Sequence, residues 1–465
     1  MTGRVRPRVV IVGGGIGGLA AAYDITRAGL HCTVFEQDES LGGLAGTFDA
    51  GGFPLEKFYH HWYTSDTAAL ELVRELGMAD ALMPRPSTAA AWVGNRFWKL
   101  STPLDLLCFS PLSLRDRLRL GLLTLRVRRL AQADLPALEQ ITAIDWVRRE
   151  AGQNVLNVMF EPLLRGKFGP YAEQVAAVWL AWKLRLRGSS RRRGGGGREQ
   201  LVYLRGGFGA LVDALARQIR AGGGTIQTGM RVAQVLTHDH HDAVRAVRLA
   251  DGTECPADAV LLTCPQPVAA GLCPFLPPEF RARLTEPAWL GNICLILVLE
   301  RPLSGTYWLN VNDPSFPFVA VIEHTNLDAS ETAYRGRHIV YLSTYLPPQD
   351  PRMSMSADEL LVYSIGHLQR MFPAFKRSWV HSSHVWRADY AQPVVTVGYR
   401  QRIAPEALGP RGLRLCCMAQ IYPEDRGTNY AIAYARRAAA RICADLGHSP
   451  HSPVAGPLTT QISLP

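Results

Sequence analysis

The feature that most constrains the fold is a strand, a helix and a second strand within the first 36 residues. The run Val9–Val12 is entirely β-branched and leads directly into glycines. This pattern is typical of a strand that is buried in a parallel sheet. The segment Leu19–Ala28 reads as a helix, and Gly29 follows it where helices commonly end. A second apolar strand, Cys32–Phe35, comes next. This βαβ unit predicts an α/β fold with a doubly wound parallel sheet.

The loop between the first strand and the helix has the spacing of a phosphate-binding loop. Gly13, Gly15 and Gly18 match the pattern GxGxxG. The first glycine permits a tight turn, the second lets the backbone approach a pyrophosphate, and the third lets helix and strand pack closely. The phosphates then meet the free N–H groups at the start of the helix. The predicted contacts of this loop are Gly13, Gly15, Ile16, Gly17 and Gly18.

An acidic residue, Glu36, ends the second strand 18 residues after Gly18. At about this distance a carboxylate accepts hydrogen bonds from an adenosine ribose. An unphosphorylated ribose, as in FAD or NAD, is therefore favoured over that of NADP.

A second glycine doublet, Gly42-Gly43-Leu44, follows the acid and favours FAD over NAD. A flavin dinucleotide has a longer diphosphate and ribityl surface for such a segment to contact. With these motifs the chain resembles the superfamily of flavin amine oxidases, phytoene desaturases and protoporphyrinogen oxidases. UDP-galactopyranose mutases are more distantly similar. The resemblance implies FAD as a non-covalent cofactor.

Further segments along nearly the whole chain resemble the same superfamily. They are Leu204–Phe208 with the helix after it, Met230–Val235, Ala257–Pro265 and Trp386–Pro393. In the family, the backbone of the strand that matches Val232 meets the adenine.

The segment Met418–Ala431 resembles the closing flavin motif of the family. The resemblance implies that its glycine and the start of the last helix face the ribityl chain and the pyrimidine edge of the flavin. A helix N-terminus there stabilises negative charge on the reduced ring. Two positions depart from the family: Leu44 stands where many relatives have Arg, and Ala419-Gln420 replaces Gly-Asp. The candidate contacts of the closing motif are Gln420, Asp425, Gly427, Thr428, Asn429 and Tyr430.

Two adjacent histidines, His60 and His61, are the first candidate catalytic residues. In relatives the matching stretch runs beside the isoalloxazine ring. The histidines are suited to relay a proton near flavin N5 or to anchor an anionic substrate. The alternative is aromatic packing at a domain interface.

Arg165 and Lys167 flank a glycine and are the second pair of candidates. In a loop, this arrangement suits the binding of a carboxylate or phosphate. The alternative is solvated surface charge. In amine oxidases a lysine holds a water at flavin N5, and Lys57 and Lys167 are the candidates for that role here.

The chain is basic, with a net charge of +10 and 50 Lys and Arg residues, nearly all of them arginines. No nucleic-acid-binding motif accompanies the charge, so a general affinity for anions is favoured over a nucleic-acid partner. The arginine-studded apolar segment 112–130 fits either a solvated helix or a helix that lies on anionic lipid.

The cysteines favour a reducing cytoplasm, because all nine are scattered without a CxxC pair. Their spacing predicts neither disulfides nor a metal site. No signal peptide precedes the first strand, and no apolar run reaches the ~18 residues of a spanning helix. The expected location is cytoplasmic, with peripheral contact to the inner face of the membrane if the segment 112–130 is interfacial.

The chain is expected to form two domains and a tail. Residues 67–181 read as mostly helical, and residues 188–197 as a mobile, low-complexity loop. The substrate domain is predicted to be an inserted α+β unit with a mainly antiparallel sheet. The predicted ranges are 1–66, 200–286 and 395–447 for the Rossmann-like FAD domain, 67–199 and 287–394 for the substrate domain, and 448–465 for a disordered tail.

The expected activity is FAD-dependent oxidation or desaturation of a bulky organic substrate, by hydride transfer to flavin N5. The electrons then pass to O2 or another acceptor. Arginine-rich stretches suit an anionic substrate. The alternative is a redox-neutral enzyme of the UDP-galactopyranose mutase kind, which acts on a sugar nucleotide. A non-catalytic binding module is the third class, and it predicts no bound flavin.

Overall fold

The computed structural model describes residues 6–189, 199–330 and 332–449. Its strands are β1 (Arg8–Val12), β2 (His31–Phe35), β3 (Thr47–Asp49), β4 (Pro54–Glu56), β5 (Trp62–Tyr63), β6 (Leu82–Pro86), β7 (Ala89–Val93), β8 (Arg96–Lys99), β9 (Gln200–Leu204), β10 (Thr225–Gln227), β11 (Val232–Thr237), β12 (Val244–Leu249), β13 (Glu254–Pro256), β14 (Ala259–Leu262), β15 (Trp289–Leu299), β16 (Trp308–Val311), β17 (Ala320–Glu323), β18 (His338–Leu346), β19 (Val380–Pro393) and β20 (Leu413–Leu415). Its α-helices are α1 (Ile16–Arg27), α2 (Thr67–Glu75), α3 (Pro103–Cys108), α4 (Leu114–Val127), α5 (Leu135–Glu139), α6 (Ala143–Ala151), α7 (Gln153–Val155), α8 (Glu161–Phe168), α9 (Ala177–Ser189), α10 (Gly207–Ala221), α11 (Gln266–Leu272), α12 (Pro278–Thr285), α13 (Ala357–Met371) and α14 (Thr428–Asp445).

The first sheet is parallel, with strand order β10-β2-β1-β14-β20. Side chains alternate between its two faces. Val9 and Ile11 pack into the core that contains α1, α10 and α14. Val10 and Val12 pack into the opposite core, which contains the antiparallel sheet β11-β12-β13 and α11. The predicted α/β class and the opening βαβ unit are confirmed.

The order of the strands in this sheet places a crevice at their carboxyl ends. From β1 the chain goes to β2 on one side, and β14 pairs with the other side of β1. In open α/β sheets a ligand binds where the strand order reverses in this way. Gly13 follows β1, Glu36 follows β2 and Thr263 follows β14 at this edge.

The second sheet has seven strands in the order β19-β15-β18-β17-β16-β7-β8. All its neighbours are antiparallel except β16 and β7. Every residue of β15 is buried, which makes this strand the centre of the second core. The predicted mainly antiparallel sheet is therefore confirmed.

The expectation that residues 67–181 are mostly helical is wrong for residues 82–99. Three strands, β6 to β8, lie there. The run Ala89–Val93 is rich in alanine and favours a helix by propensity, but it pairs with β16 on one side and β8 on the other. Tertiary pairing overrides local propensity in this segment.

The first domain boundary also needs revision. Ala69, Leu72 and Val73 of α2 belong to the same core as α1 and α14, and β6 pairs with β9. We therefore propose that the first nucleotide-domain segment extends to Pro86 rather than to Asp66. The predicted loop at 188–197 and the tail at 448–465 fall almost entirely outside the described residues.

The basic segment predicted near 112–130 forms α4 and buries one face. Leu120, Leu123 and Val127 pack into a helical core with α6, α8 and α9. In the ranges that the structure describes, no helix is both long and apolar enough to cross a bilayer.

Candidate active site

A cavity of about 1320 Å³ lies between the carboxyl ends of the parallel sheet and the seven-stranded sheet. Small-molecule sites usually enclose roughly 300–1,000 Å³. This cavity therefore has room for a dinucleotide together with a substrate. Of the candidate residues predicted from the sequence, those that line it are Gly13, Gly15, Ile16, Gly17, Gly18, Glu36, Gly42, Gly43, Leu44, Lys57, His60, His61, Lys167, Val232, Asp425, Gly427, Thr428, Asn429 and Tyr430.

The glycines of the first loop have distinct geometric roles. Gly13 has a φ of +111°, which favours glycine. A Cβ on Gly18 would lie 2.1 Å from the Gly13 carbonyl oxygen, so only glycine lets α1 pack this closely on the loop. A Cβ on Gly15 would meet no atom within 4 Å. Because Gly15 lines the cavity, that open space is part of the cavity.

The second glycine doublet lies directly against the first loop. The Gly42 N–H donates to the Gly14 carbonyl oxygen at 2.9 Å. A Cβ on Gly43 would lie 3.3 Å from the Gly15 Cα. The two segments therefore form one continuous backbone surface, whose shape fits an extended diphosphate.

Glu36, predicted to bind a ribose, lines the cavity beside this surface. Its carboxylate accepts hydrogen bonds from the Gly14 N–H at 2.7 Å and from the Asp38 N–H at 2.9 Å. A carboxylate has about four acceptor positions, so it retains capacity for ribose hydroxyls. The Met230 N–H donates to the Glu36 carbonyl oxygen at 2.8 Å. This bond brings Val232, the first residue of β11, to the same end of the cavity.

The start of α14 also lines the cavity. The Thr428 hydroxyl accepts a hydrogen bond from the Trp62 indole at 2.8 Å, and the Asn429 side-chain oxygen accepts one from the Ala69 N–H at 3.0 Å. Both side chains are therefore engaged by neighbouring elements. We propose that this helix contacts the cofactor through the backbone N–H groups of its first turn.

Gln420, predicted to contact the cofactor, does not line the cavity. Its side-chain oxygen accepts from the Cys417 N–H at 2.8 Å, and its amide donates to the Ala404 carbonyl oxygen at 3.1 Å. The buried side chain instead holds the turn after β20 together.

Arg165, predicted to bind a substrate anion, does not line the cavity either. The segment forms helix α8 rather than a loop, and Arg165 forms ion pairs with Glu161 at 2.9 Å and Glu173 at 3.0 Å. The helical spacing places Arg165 above Glu161 on the solvent side. Lys167, two residues later, turns toward the interior and does line the cavity.

The two histidines differ in their hydrogen bonds. His60 Nδ1 lies 2.6 Å from the Phe58 carbonyl oxygen. Because a carbonyl only accepts, Nδ1 carries the proton and Nε2 is left with a lone pair. His61 Nδ1 shares a hydrogen bond of 2.8 Å with the Tyr307 hydroxyl.

Both histidines are neutral at neutral pH. Burial lowers the pKa of His60. Burial, reinforced by the positive charge of Arg187, lowers the pKa of His61 to about 3. Neither ring therefore supplies a cation for an anionic substrate.

One part of the cavity is lined by a cluster of charged side chains that we name the cationic chamber. It consists of Lys167, Lys183, Arg187, Arg426 and one carboxylate, Asp425. The Lys183 Nζ donates to Asp425 Oδ2 at 2.5 Å, and the Lys167 Nζ lies 3.9 Å from the same oxygen.

Aromatic rings and hydroxyls enclose these charges. The Lys167 Nζ lies 4.8 Å from the Trp179 ring centroid and 5.2 Å from that of Tyr345. The Arg426 guanidinium donates to the Tyr345 hydroxyl at 2.6 Å. Lys167 and Arg426 are therefore held against neutral aromatic side chains, whereas Lys183 is held by the Asp425 carboxylate.

Charge coupling within the chamber shifts its pKa values. Burial alone would raise the pKa of Asp425, but Lys167, Lys183 and Arg426 together hold it well below its ordinary value. Burial lowers the pKa of Lys167 despite the nearby carboxylate. An incoming anion would therefore stabilise the charged form of Lys167.

Sequence reasoning did not single out Lys183, Arg187 or Arg426 individually, although Arg187 belongs to the arginine-rich stretch 185–198 that was expected to fit an anionic substrate or a membrane surface. A signal was present for the first two: Trp179, Lys183 and Arg187 recur every four residues and share one face of α9. Arg426 stands beside Asp425 in the closing motif. No pattern in the sequence indicated that these positions face each other across the cavity.

Asp66, which also lines the cavity, gives a prediction about pH and stability. Burial raises the pKa of this carboxyl from 3.8 to about 7, although the Tyr63 N–H, which donates to it at 2.9 Å, opposes the shift. The folded state thus favours the protonated form, and stability is lost as pH rises from about 4 to about 7. Asp66→Asn should remove this loss, on the order of 2 kcal/mol between pH 5 and pH 8. Thermal unfolding of both proteins across that range tests it, and identical pH profiles would contradict a buried neutral carboxyl.

Comparisons with known proteins agree with this architecture. The profile of the family "Flavin containing amine oxidoreductase" matches residues 16–443. A coproporphyrinogen III oxidase of Propionibacterium freudenreichii subsp. freudenreichii is 26% identical, over 85% of this chain and 83% of its own length. A hydroxyneurosporene desaturase of Cereibacter sphaeroides is 27% identical, over 56% of each chain.

The solved structure of a reduced UDP-galactopyranose mutase is similar in fold. It superposes with a TM-score of 0.72 at 16% identity, over 95% of this chain and 96% of its own. The family match indicates that the cofactor is FAD. The two glycine loops, the Glu36 carboxylate and the size of the cavity fit this cofactor. The chain belongs to the family of flavin-containing amine oxidoreductases and is an FAD-dependent oxidoreductase.

Proposed function

We propose that the chain oxidises or desaturates a bulky organic substrate that carries anionic groups. The observation that carries the proposal is the cationic chamber, where four cations face one carboxylate. A protonated amine would be repelled there, whereas a carboxylate or phosphate would replace water around Lys183 and Arg426. The volume of the cavity supports a large substrate.

FAD, when bound, accepts a hydride from the substrate at its N5 atom. The side chains of the protein position the substrate relative to the flavin ring. Lys183, Arg187 and Arg426 bind the anionic groups and so fix which part of the substrate approaches the ring. Tyr59 and Trp308 line the cavity as aromatic walls and exclude water. His60, with its Nε2 lone pair, is the candidate group to hold a proton that the substrate releases.

Coproporphyrinogen III is the first substrate to test. The relative from Propionibacterium is named for this compound. Coproporphyrinogen III is bulky and carries four carboxylates. Under anaerobic conditions, we expect coproporphyrinogen III to bleach the visible flavin absorbance of the purified protein. Putrescine, a dication, is the control and should leave the absorbance unchanged. Bleaching by putrescine alone would contradict an anionic substrate.

The second candidate function is a redox-neutral rearrangement of a sugar nucleotide, because the cationic chamber also suits a diphosphate. This function predicts activity only after the flavin has been reduced, with no net transfer of electrons. Incubation of dithionite-reduced and oxidised protein with UDP-galactopyranose distinguishes the two. Product formed only by the reduced protein would favour the mutase.

A further inference from the structure

The helical part of the substrate domain exposes an unusual amount of apolar surface. Nine large hydrophobic side chains are exposed in the described ranges, and six of them are leucines within 22 residues. They are 48% to 73% exposed and comprise Leu104, Leu107, Leu114, Leu118, Leu122 and Leu125. We name these six residues the leucine face.

The leucine face is formed by the fold and is not a frayed segment. At about 100° per residue, the four leucines of α4 fall within an arc of about 80°, opposite the buried Leu120 and Leu123. Arg117 joins α3 to α4, because its guanidinium donates to the carbonyl oxygens of Leu112, at 2.7 Å, and Leu107. Both helices therefore hold their exposed leucines in a fixed arrangement.

Arginines border the leucine face. Arg115 and Arg126 lie along one side of the stripe on α4, and Arg128 and Arg129 follow its end; all four are exposed, and Arg126 also pairs with Glu150 at 2.5 Å. The acidic residue of α4, Asp116, is buried and accepts a hydrogen bond from the Asn154 side chain at 2.9 Å. The surface that faces outward is thus apolar at its centre and positive at its rim.

We propose that the leucine face docks on an anionic lipid bilayer, with the leucines in the interfacial layer and the arginines at the headgroups. This is the composition of an interfacial helix. A second copy of the chain fits less well, because a two-fold contact through this face would bring the same arginines together. Docking would place α4 at the bilayer with α9, which it packs against and which lines the cavity.

The test is sedimentation of the flavin-loaded protein with phosphatidylcholine vesicles, with and without phosphatidylglycerol. The protein should pellet with the anionic vesicles and do so less at high salt. The double variant Leu118→Ser/Leu122→Ser should lower the partition coefficient about tenfold or more. Val362→Ser/Tyr363→Ser removes a similarly exposed pair from α13 and should have no effect.

Three outcomes would overturn the proposal. The first is a wild-type protein that stays in the supernatant with anionic vesicles. The second is a leucine variant that still pellets fully. The third is a wild-type dimer, without vesicles, that the leucine variant converts to a monomer, because the face would then be a subunit interface. Arg115→Gln/Arg129→Gln should weaken binding to anionic vesicles only. This variant distinguishes the attraction of arginines to anionic headgroups from the burial of leucines in the bilayer.

Discussion

Gly15→Val is expected to give a folded protein that has lost its flavin. The backbone of Gly15 is extended, with φ −67° and ψ 171°, so valine can adopt it. Its Cβ would meet no protein atom within 4 Å, so the new side chain costs folding only about 1 kcal/mol, at the N-cap position. The same side chain would occupy the space through which a pyrophosphate approaches the loop. We expect the ratio of flavin to protein after purification to fall at least about tenfold.

Two matched variants separate loss of flavin from loss of fold. Gly366→Val makes the same change in α13, where a Cβ also meets nothing within 4 Å, and should retain full flavin. Gly18→Val should impair folding, because its Cβ would lie 2.1 Å from the Gly13 carbonyl oxygen. Visible absorbance of the heat-released supernatant measures the flavin, and thermal unfolding measures the fold. A Gly15→Val protein with full flavin content would place the pyrophosphate elsewhere.

The nucleotide-binding half of the fold was predictable because its signals are local. A β-branched strand, a glycine loop and an acid at the end of the next strand lie within 36 residues and have one common structural solution. The strands at residues 82–99 were missed for the opposite reason. The pairing of β7 with β16 joins segments more than 200 residues apart, and nothing in the alanine-rich run indicates it.

The candidate site divides in the same way. Loops whose backbone approaches a ligand closely require glycine, and glycines are visible in the sequence. Gly13, Gly15 and Gly43 could therefore be found without a structure. The cationic chamber depends on side chains that the fold brings together, and Lys183 meets Asp425 across 242 residues. Arg165 shows the reverse case: as a charge beside a glycine it was predicted to bind substrate, but in the fold it pairs with Glu161, one helical turn earlier, and with Glu173.

Lys183→Met is expected to raise KM for the anionic substrate about 10- to 100-fold and to change kcat much less. A hydrogen bond to a charged group contributes roughly 1.5–3 kcal/mol, and methionine keeps the length of the stem without the charge. Lys376→Met removes an exposed lysine elsewhere and should leave KM unchanged.

With Asp425→Asn, the direction of the change in KM distinguishes an anionic substrate from an amine substrate. The variant removes the carboxylate of the chamber and leaves its cations. With an anionic substrate, KM should stay constant or fall, since Lys183 no longer has a competing partner at 2.5 Å. With an amine substrate, the same variant would lose its attractive charge and KM would rise. Flavin content and thermal unfolding must match the wild type for either comparison, because Asp425 also accepts a hydrogen bond from the Trp179 indole at 2.9 Å. A rise in KM with Asp425→Asn and none with Lys183→Met would identify the chamber as an amine site.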